Sequence, residues 1–297
     1  MKILISDAFD PSLPDDLRKY GEVTADKEEL PTADVVLVRS KTTCDKAYID
    51  KGKNLKLIIR GGVGLDNIDV EYARSKGIEV HNTAEASSIA VAELAFALMI
   101  ATPNHLVRAH ESMKEGKWLK KELKRTELMG KTLGVIGCGK IGTEVAKRAA
   151  AFGMNLVGYD PSVDIHDYIA IKVSMEEVLP LCDYITLHTP LTDKTLGFIN
   201  KESIALMKDG VAIINTGRGK CVNEQDVADA LKSGKIGFYC NDVWHSDPPK
   251  DSPLIDAPNT LLTPHIGAST EENLLRIGKV VNRIIGKFQG TYNKRIS

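Results

Sequence analysis

The amino-acid sequence predicts an α/β fold with two parallel-sheet domains. Short apolar strands alternate with helical segments twice along the chain, first from Ile3 to Val80 and again from Thr132 to Thr263. Such alternation is typical of parallel sheets whose two faces are covered by helices. The length of 297 residues is enough for two domains that each bury a core.

The composition narrows the class of protein. Hydrophobic residues make up 43% of the sequence and charged residues 27%, which is ordinary for a soluble globular protein. Because the formal net charge is −1, no overall field attracts nucleic acid or an acidic membrane, and we expect neither as a partner. The five cysteines are odd in number and lack metal-ligand spacing, which predicts reduced thiols, a cytoplasmic location and no metal site.

The first series of elements predicts a sheet of short buried strands. Helical or turn-rich pieces such as Pro14–Tyr20 and Val70–Lys76 separate these strands. The predicted strands are Ile3–Ser6, Val35–Val38, Leu57–Ile59 and Ile78–Val80.

A long apolar segment follows and predicts a buried helix over Glu85–Ala101. Its longest apolar run, Ile89–Ala101, has 13 residues and contains Glu93, so it is too short and too charged to span a bilayer. A second helix is expected over Asn104–Gly116. The mixed-charge segment Lys117–Lys131 is expected to lie on the surface.

The second series of elements predicts another parallel sheet. Its helices are expected over Lys140–Phe152 and Glu224–Ser233. Its strands are expected at Thr132–Gly137, Asn155–Asp160, Tyr184–Leu187, Val211–Asn215, Ile236–Asn241 and Thr260–Thr263.

The C-terminal segment predicts an amphipathic helix. Ser269 and Glu272 match a capping box in which Ser269 is the N-cap. Apolar residues then recur at helical spacing, at Leu274, Ile277, Val281, Ile284 and Phe288. We expect this helix to return to the N-terminal sheet, which gives a discontinuous substrate domain (1–94 with 270–297) and a nucleotide domain (95–269). The active site is expected in the cleft between them.

A glycine-rich motif lies between a predicted strand and a predicted helix: Gly137-Cys138-Gly139-Lys140-Ile141-Gly142. This context favours a dinucleotide site in a Rossmann-like or flavodoxin-like domain. The first glycine makes the turn, the second lets a pyrophosphate approach, and the third lets the helix pack on the strand. Asp160 ends the next strand and is expected to bond the ribose hydroxyls, which favours NAD over NADP. The alternative is that Asp160 only begins a turn.

An arginine, two carboxylates and a histidine follow later strands. Arg218 lies in Asn215-Thr216-Gly217-Arg218-Gly219, His265 in Pro264-His265-Ile266-Gly267, and the carboxylates in Asp242–Pro248. This set suits a 2-hydroxy or 2-keto acid, because arginine clamps a carboxylate, histidine moves a proton and a carboxylate orients the histidine. Taken alone, Arg218 could equally be in a surface turn. The other histidines that could fill the role are His81, His188 and His245.

Further motifs extend along nearly the whole chain. They are Arg60-Gly61-Gly62-Val63-Gly64-Leu65-Asp66-Asn67-Ile68-Asp69, Ala90-Val91-Ala92-Glu93-Leu94, Gly130–Gly137 and Leu187-His188-Thr189-Pro190-Leu191. With the arginine and histidine motifs, they resemble the D-isomer-specific 2-hydroxyacid dehydrogenase family. The resemblance implies two α/β domains around a cleft, NAD as cofactor, a small 2-hydroxy or 2-keto acid as substrate, and a homodimer.

The resemblance also implies roles for particular residues. Arg218 would bind the substrate carboxylate and carbonyl, His265 would be the acid and base, and Asp247 its partner. Asp242 would lie near the nicotinamide carboxamide, and the Val63-Gly64 turn would offer N–H groups to the carboxylate. The expected cofactor-binding residues are Gly137, Gly139, Lys140, Ile141, Gly142, Asp160, His188, Thr189, Pro190, Thr216, Gly217, Arg218, Asp242, His265 and Gly267. The expected substrate-binding residues are Arg39, Ser40, Arg60, Gly62, Val63, Gly64, Arg218 and His265.

Two positions depart from the family pattern. Asp247 stands where the family usually has glutamate, so either its loop lies closer to His265 or the pair is weaker. Ala86-Ser87 stands where the phosphoglycerate-oxidising branch often has Gly-Asn, which weakens inference about the distal end of the substrate.

The expected reaction is NAD-dependent oxidation of D-3-phosphoglycerate to 3-phosphohydroxypyruvate, as in serine biosynthesis. Arg39, Lys41 and Arg60 lie at predicted strand ends, where they would hold a phosphate or serve as ordinary solvated charge. Arg60 resembles the phosphoglycerate branch. The alternatives are a glyoxylate or hydroxypyruvate reductase, another D-2-hydroxyacid dehydrogenase and, more remotely, an NAD-sensing corepressor.

Overall fold

The computed structural model describes the backbone of residues 1–296 and the side chains of residues 1–290. The chain forms two compact units. The first unit is Met1–Ser88 together with the segment from Ala268 onward, and the second unit is Ile89–Gly267. Within the described residues, the first unit contains a five-stranded sheet and the second a seven-stranded sheet, both parallel. The predicted α/β fold with two parallel sheets is confirmed.

The regular elements have the following bounds. The strands are β1 Lys2–Ile5, β2 Glu22–Thr24, β3 Val35–Val38, β4 Leu57–Arg60, β5 Glu79–Asn82, β6 Thr132–Ile136, β7 Asn155–Tyr159, β8 Ala170–Ile171, β9 Tyr184–Leu187, β10 Val211–Asn215, β11 Ile236–Asn241 and β12 Thr260–Leu262. The α-helices are α1 Leu13–Leu17, α2 Lys46–Lys51, α3 Val70–Ser75, α4 Ala84–Ala101, α5 Leu106–Lys114, α6 Lys140–Ala151, α7 Met175–Val178, α8 Lys201–Leu206, α9 Glu224–Ser233 and α10 Glu271–Ile296. Short 3₁₀ segments occur at Arg18–Tyr20, Lys27–Thr32, Leu179–Leu181 and Gly219–Cys221.

The sheet of the first unit has the strand order β2-β1-β3-β4-β5, which is the flavodoxin-like order. Successive side chains of a strand point to opposite faces. Val35 and Leu37 of β3 therefore pack in one core cluster, and Val36 and Val38 pack in another. Helices cover both faces, so the strands can be apolar along their whole length.

Helix α10 packs on one face of the first sheet through Ile277, Val281 and Ile285, all fully buried. Its N-cap differs from the prediction. The hydroxyl of Thr270, not Ser269, accepts the N–H of Asn273 at 3.1 Å. Because the helix begins at Glu271, the residue immediately before it is the one that can reach an N–H of the first turn.

The sheet of the second unit has the strand order β12-β11-β10-β9-β6-β7-β8. Numbered from β6, this is the Rossmann order 3-2-1-4-5-6 with one strand added at the β11 edge. The carboxyl ends of β6, β9, β10 and β11 therefore lie side by side. Loops that follow these strands are the natural place for a ligand.

Helix α4 is longer than the apolar run that predicts it. It has 18 residues, and by length and composition it could cross a membrane, although 56% of it is buried inside the structure. In the second unit, Ala92, Ala95 and Met99 of this helix pack in a cluster with strand residues of β6. Helices in the cores of soluble proteins can have the same length and apolar composition.

The short elements were not predicted. Strands β2 and β8 have only three and two residues and lie at sheet edges, so they carry little hydrophobic pattern. Helices α2, α7 and α8 have four to six residues, too few to show helical periodicity. The segment Lys117–Lys131 contains no helix or strand and is mostly exposed, as predicted.

Candidate active site

The glycine-rich motif forms a tight turn between β6 and α6. Gly137 has φ of +92°, and a Cβ there would lie 2.8 Å from the carbonyl carbon of His188. A Cβ on Gly142 would lie 2.2 Å from the carbonyl oxygen of Gly137. These two positions therefore require glycine for the turn and for the packing of α6.

Gly139 differs from its two neighbours, because a Cβ there would meet no heavy atom within 4 Å. It is the N-cap of α6 and its backbone is extended, with φ of −73° and ψ of −159°. The open space therefore lies beside a helix N-terminus, where N–H groups and the helix dipole favour an anion. The loop fits the pyrophosphate of a dinucleotide.

Asp160 follows β7 and binds the same loop. One carboxylate oxygen accepts the N–H of Cys138 at 2.9 Å, and the other accepts the N–H of Ser162 at 2.9 Å. An ionised carboxylate has further acceptor positions, so ribose hydroxyls can still bind. Asp160 therefore does more than begin a turn, because its carboxylate also anchors the glycine-rich loop.

His188 follows β9. Its Nε2 hydrogen-bonds with the hydroxyl of Thr186 at 2.9 Å, and its Nδ1 lies 3.5 Å from the hydroxyl of Thr216. Burial lowers the pKa of His188 to about 3, so the ring is neutral at neutral pH. The neighbouring Pro190 accepts a hydrogen bond from the hydroxyl of Thr195 at 2.7 Å, which fixes the predicted Thr189-Pro190 segment. A neutral, hydroxyl-bound His188 is poorly suited to exchange protons with a substrate.

The turn that carries Arg218 is organised by Asn215, which is fully buried at the end of β10. Its Oδ1 accepts the N–H of Gly217 at 3.1 Å, and its Nδ2 donates to the carbonyl oxygen of Arg218 at 3.2 Å. A Cβ on Gly219 would lie 2.2 Å from the carbonyl carbon of Trp244, so glycine is needed where the two loops meet. The half-buried guanidinium of Arg218 donates to the carbonyl oxygen of Gly217 at 2.8 Å.

His265 contacts Asp247 through its Nδ1 atom and a carboxylate oxygen. The side chains of His265 and Asp247 are 43% and 48% exposed, so the pair is accessible to a ligand. His265 has φ of +55°, an uncommon left-handed conformation for a residue that is not glycine. The shorter aspartate therefore still reaches the histidine. With Nδ1 engaged, Nε2 is the atom that can exchange a proton.

Asp242 fixes the backbone beside His265. It is buried, and one oxygen accepts the Thr263 hydroxyl at 2.6 Å and the N–H of Ile266 at 2.8 Å. The other oxygen accepts the N–H of Gly267 at 2.9 Å. The structure thus assigns this carboxylate to the histidine loop, and a contact with the nicotinamide stays a prediction.

The other histidines have different partners. Nε2 of His245 lies 3.0 Å from the carbonyl oxygen of Val222, and Nε2 of His81 lies 3.3 Å from a carboxylate oxygen of Glu79. Glu79 precedes His81 by two residues on an edge strand, and this pair is exposed. Of the four histidines compared, His265 combines a carboxylate at Nδ1 with a position among the loops that follow β10, β11 and β12.

The predicted substrate residues of the first unit lie at the carboxyl ends of β3 and β4. Val38 pairs with Arg60, so Arg39 and Arg60 occupy neighbouring strand ends. Gly61 and Gly62 lie between them. A Cβ on Gly61 would lie 3.2 Å from Cγ of Arg39, and a Cβ on Gly62 would lie 1.7 Å from Nη1 of Arg60. Both arginine side chains therefore pack directly on the diglycine turn, and Ser40 follows as an exposed residue.

The Gly62-Val63-Gly64 turn is held by the residues that precede α4. The hydroxyl of Thr83 accepts the N–H of Gly62 at 2.8 Å, and Nδ2 of Asn82 donates to the carbonyl oxygen of Val63 at 2.6 Å. Neither anchor was identified from the sequence, although Asn82 ends strand β5 and Thr83 follows it immediately. That this turn and Arg218 serve one common cleft stays a prediction.

Comparisons with known proteins agree with this geometry. The family model for the D-isomer specific 2-hydroxyacid dehydrogenase NAD-binding domain matches residues 96–267. Hydroxypyruvate reductase of Thermotoga maritima is 49% identical over 267 residues, covering 86% of this chain and 87% of that protein. D-3-Phosphoglycerate dehydrogenase of Methanocaldococcus jannaschii is 45% identical over 300 residues, covering 97% of this chain and 57% of that protein. The chain thus spans little more than half of this second relative.

A solved structure extends the comparison to the fold. The crystal structure of D-lactate dehydrogenase from Aquifex aeolicus, complexed with NAD and lactic acid, matches with a TM-score of 0.87 and 29% identity. The match covers 100% of this chain and 97% of the lactate dehydrogenase chain. The predicted cofactor and enzyme class are confirmed. The chain belongs to the D-isomer-specific 2-hydroxyacid dehydrogenase family and is an NAD-dependent oxidoreductase.

Proposed function

We propose that the protein oxidises D-3-phosphoglycerate to 3-phosphohydroxypyruvate with NAD, the first step of serine biosynthesis. The observation that carries this proposal is the pair of arginines, Arg39 and Arg60, packed on the diglycine turn of the first unit. Guanidinium groups bind phosphate through paired, charge-assisted hydrogen bonds. Relatives named D-3-phosphoglycerate dehydrogenase, at 38% to 45% identity, support the same substrate.

In the proposed reaction, Nε2 of His265 removes the proton of the C2 hydroxyl, and Asp247 stabilises the charged ring that forms. Arg218 holds the carboxylate and stabilises negative charge on the C2 oxygen. Bound NAD supplies the acceptor for the C2 hydride. In the reverse direction, the protonated His265 returns the proton to the keto oxygen.

The test separates phosphate recognition from the chemistry. Arg39→Gln and Arg60→Gln are assayed with D-3-phosphoglycerate and with D-glycerate, which lacks the phosphate. Each variant should lose about 10-fold or more in kcat/KM with the phosphorylated acid and little with D-glycerate. Arg74→Gln, at an exposed position on α3, is the matched control. Equal losses with both acids would overturn the phosphate assignment.

Hydroxypyruvate or glyoxylate reduction is the second candidate function. The Thermotoga maritima hydroxypyruvate reductase favours it, because that relative matches over 87% of its own length at 49% identity. In this case Arg218 and His265 have the same roles, and the reaction proceeds in the direction that reduces the keto acid to the hydroxy acid. Arg39 and Arg60 would then affect all substrates alike.

A cytoplasmic homodimer completes the proposal. Helix α5 and the segment after it expose large apolar side chains, among them Leu106, Met113 and Trp118. Trp118 is 73% exposed, which is unusual for a side chain with so much apolar area. Light scattering should give twice the monomer mass for the protein and a lower mass for Trp118→Glu at low concentration. The buried free thiols of all five cysteines suit a reducing compartment.

A further inference from the structure

A row of buried polar side chains joins the ends of β10 and β11. Its members are Asn215, Tyr239 and Asn241, which are 0%, 1% and 1% exposed. Nδ2 of Asn215 donates to the Tyr239 hydroxyl at 3.4 Å, and that hydroxyl donates to Oδ1 of Asn241 at 3.2 Å. Burial raises the pKa of Tyr239, so the hydroxyl keeps the proton that it donates.

Each end of this row holds one of the loops of the candidate active site. At one end, Asn215 binds the N–H of Gly217 and the carbonyl oxygen of Arg218. At the other end, Nδ2 of Asn241 donates to the carbonyl oxygen of Val243 at 2.6 Å. Val243 follows Asp242 in the loop that leads from β11 to Asp247. The Tyr239 hydroxyl therefore forms a side-chain link between the arginine turn and the loop of the histidine's partner, in addition to the backbone bond from the N–H of Asp242 to the carbonyl oxygen of Asn215 at 3.0 Å.

The surroundings of the Tyr239 ring are apolar, so its hydroxyl depends on the two asparagines for hydrogen bonds. The ring of Tyr239 packs in a core cluster that includes Ile213, Leu231 and Ile236, where a phenylalanine ring would pack equally well. A buried hydroxyl is unfavourable unless both of its hydrogen-bonding functions are used, and here both are used by the two asparagines. Without the hydroxyl, Oδ1 of the buried Asn241 loses this donor, and Nδ2 of Asn215 loses one of its two acceptors.

We propose that Tyr239 is a positioning residue that couples the Arg218 turn to the Asp242–Asp247 loop, and thereby aligns the carboxylate clamp with the proton-transferring pair. The inference rests on the proposed roles of Arg218, Asp247 and His265. Catalytic groups must be held to within about 0.5 Å of their productive geometry, so a shift of either loop lowers the rate of hydride and proton transfer.

The test compares Tyr239→Phe with Tyr184→Phe. Tyr184 is also buried, but it lies at the amino end of β9, away from the loops that follow the strands. For Tyr239→Phe, we expect kcat with the best hydroxy acid to fall about 10-fold and the pH profile of kcat/KM to change. The dissociation constant for NAD, measured by fluorescence, should stay within about 2-fold of that of the wild type. Tyr184→Phe should leave kcat and the pH profile unchanged.

The possible outcomes are distinct. A Tyr239→Phe enzyme that melts earlier but keeps the wild-type kcat and pH profile would show that the hydroxyl only stabilises the fold, and would overturn the inference. If that variant does not fold, Asn241→Ser replaces it, because serine keeps an acceptor but is too short to reach the carbonyl of Val243. Loss of kcat in Asn241→Ser would support the coupling, and wild-type kcat would refute it. A wild-type enzyme that oxidises no D-2-hydroxy acid would instead refute the proposed function.

Discussion

The carboxylate of Asp247 contacts Nδ1 of His265, although aspartate is one methylene shorter than the usual glutamate. The loop that carries Asp247 is drawn in by Trp244, whose indole N–H donates to the carbonyl oxygen of Thr263 at 3.1 Å. Thr263 lies two residues before His265, so this bond ties the two segments together. The bond helps to hold the loop where the aspartate contacts the histidine.

Replacement of Asp247 by asparagine should lower kcat for oxidation by about 10²-fold or more, since a neutral amide stabilises the imidazolium less than a carboxylate does. The pH–rate profile should also change, because the carboxylate that contacts the proton-transferring ring is lost. Steady-state rates between pH 5 and 10 measure both effects. An unchanged pH–rate profile would remove Asp247 from the mechanism.

Replacement of Arg218 by alanine should lower kcat about 10³-fold, because the clamp and the charge beside the C2 oxygen are lost together. Arg218→Lys should retain part of the activity, since lysine keeps the charge but not the paired geometry. Urea unfolding serves as the control and should show that both variants are folded. A loss of less than about 10-fold in Arg218→Ala would mean that another group holds the carboxylate.

Two glycines of one motif should respond differently to alanine. Gly142→Ala places a Cβ 2.2 Å from the carbonyl oxygen of Gly137, so it should lower the free energy of unfolding by about 1–3 kcal/mol. Gly139→Ala meets no atom within 4 Å and should leave the unfolding free energy within ~0.5 kcal/mol of the wild type. It should nevertheless weaken NAD binding about 10-fold, because the methyl group occupies the space of the pyrophosphate. Normal NAD affinity in Gly139→Ala would place the cofactor elsewhere.

The buried His188 should make stability depend on pH. Its pKa is about 3 in the folded protein, below the ordinary value of about 6.5 in the unfolded chain. As the pH falls from about 6.5 toward 3, the unfolded chain takes up a proton that the folded chain does not, so the folded state loses stability. The loss approaches ~1.4 kcal/mol per pH unit in this window.

Urea unfolding of the wild type and of His188→Asn at pH 7 and pH 5 measures this effect. The wild type should lose more unfolding free energy than the variant between these two pH values. Equal losses would show that His188 takes up protons alike in the folded and unfolded chains.

The sequence predicted those parts of the fold that carry a strong hydrophobic pattern. Strands such as β3 and β10 are buried along their whole length, and their predicted bounds agree with the structure. Edge strands β2 and β8 are short and have little to bury, so no pattern distinguishes them from loops. The N-cap of α10 was misassigned because Ser269 and Thr270 both have a hydroxyl that can cap a helix. The first residue of the helix decides which of the two is the cap, and the sequence does not fix that residue.

The part of the candidate site that could be predicted consists of polar residues in loops that follow strands. Arg218, Asp247 and His265 were predicted as site residues because they stand in loops with characteristic neighbours. Asn215, Tyr239 and Asn241 were not, since a polar residue within an apolar strand gives no sign of its partners on another strand. Hydrogen bonds between residues on neighbouring strands depend on register, and register is set by the whole sheet.

The proposed substrate is tested by comparing kcat/KM for D-3-phosphoglycerate and D-glycerate, from NADH formation at 340 nm. Hydroxypyruvate and glyoxylate are assayed in reverse with NADH under the same conditions. We expect the phosphorylated acid to be preferred over D-glycerate by about 10²-fold, the factor expected for one well-formed phosphate site. Equal specificity for the two acids, together with faster reduction of hydroxypyruvate or glyoxylate, would contradict it.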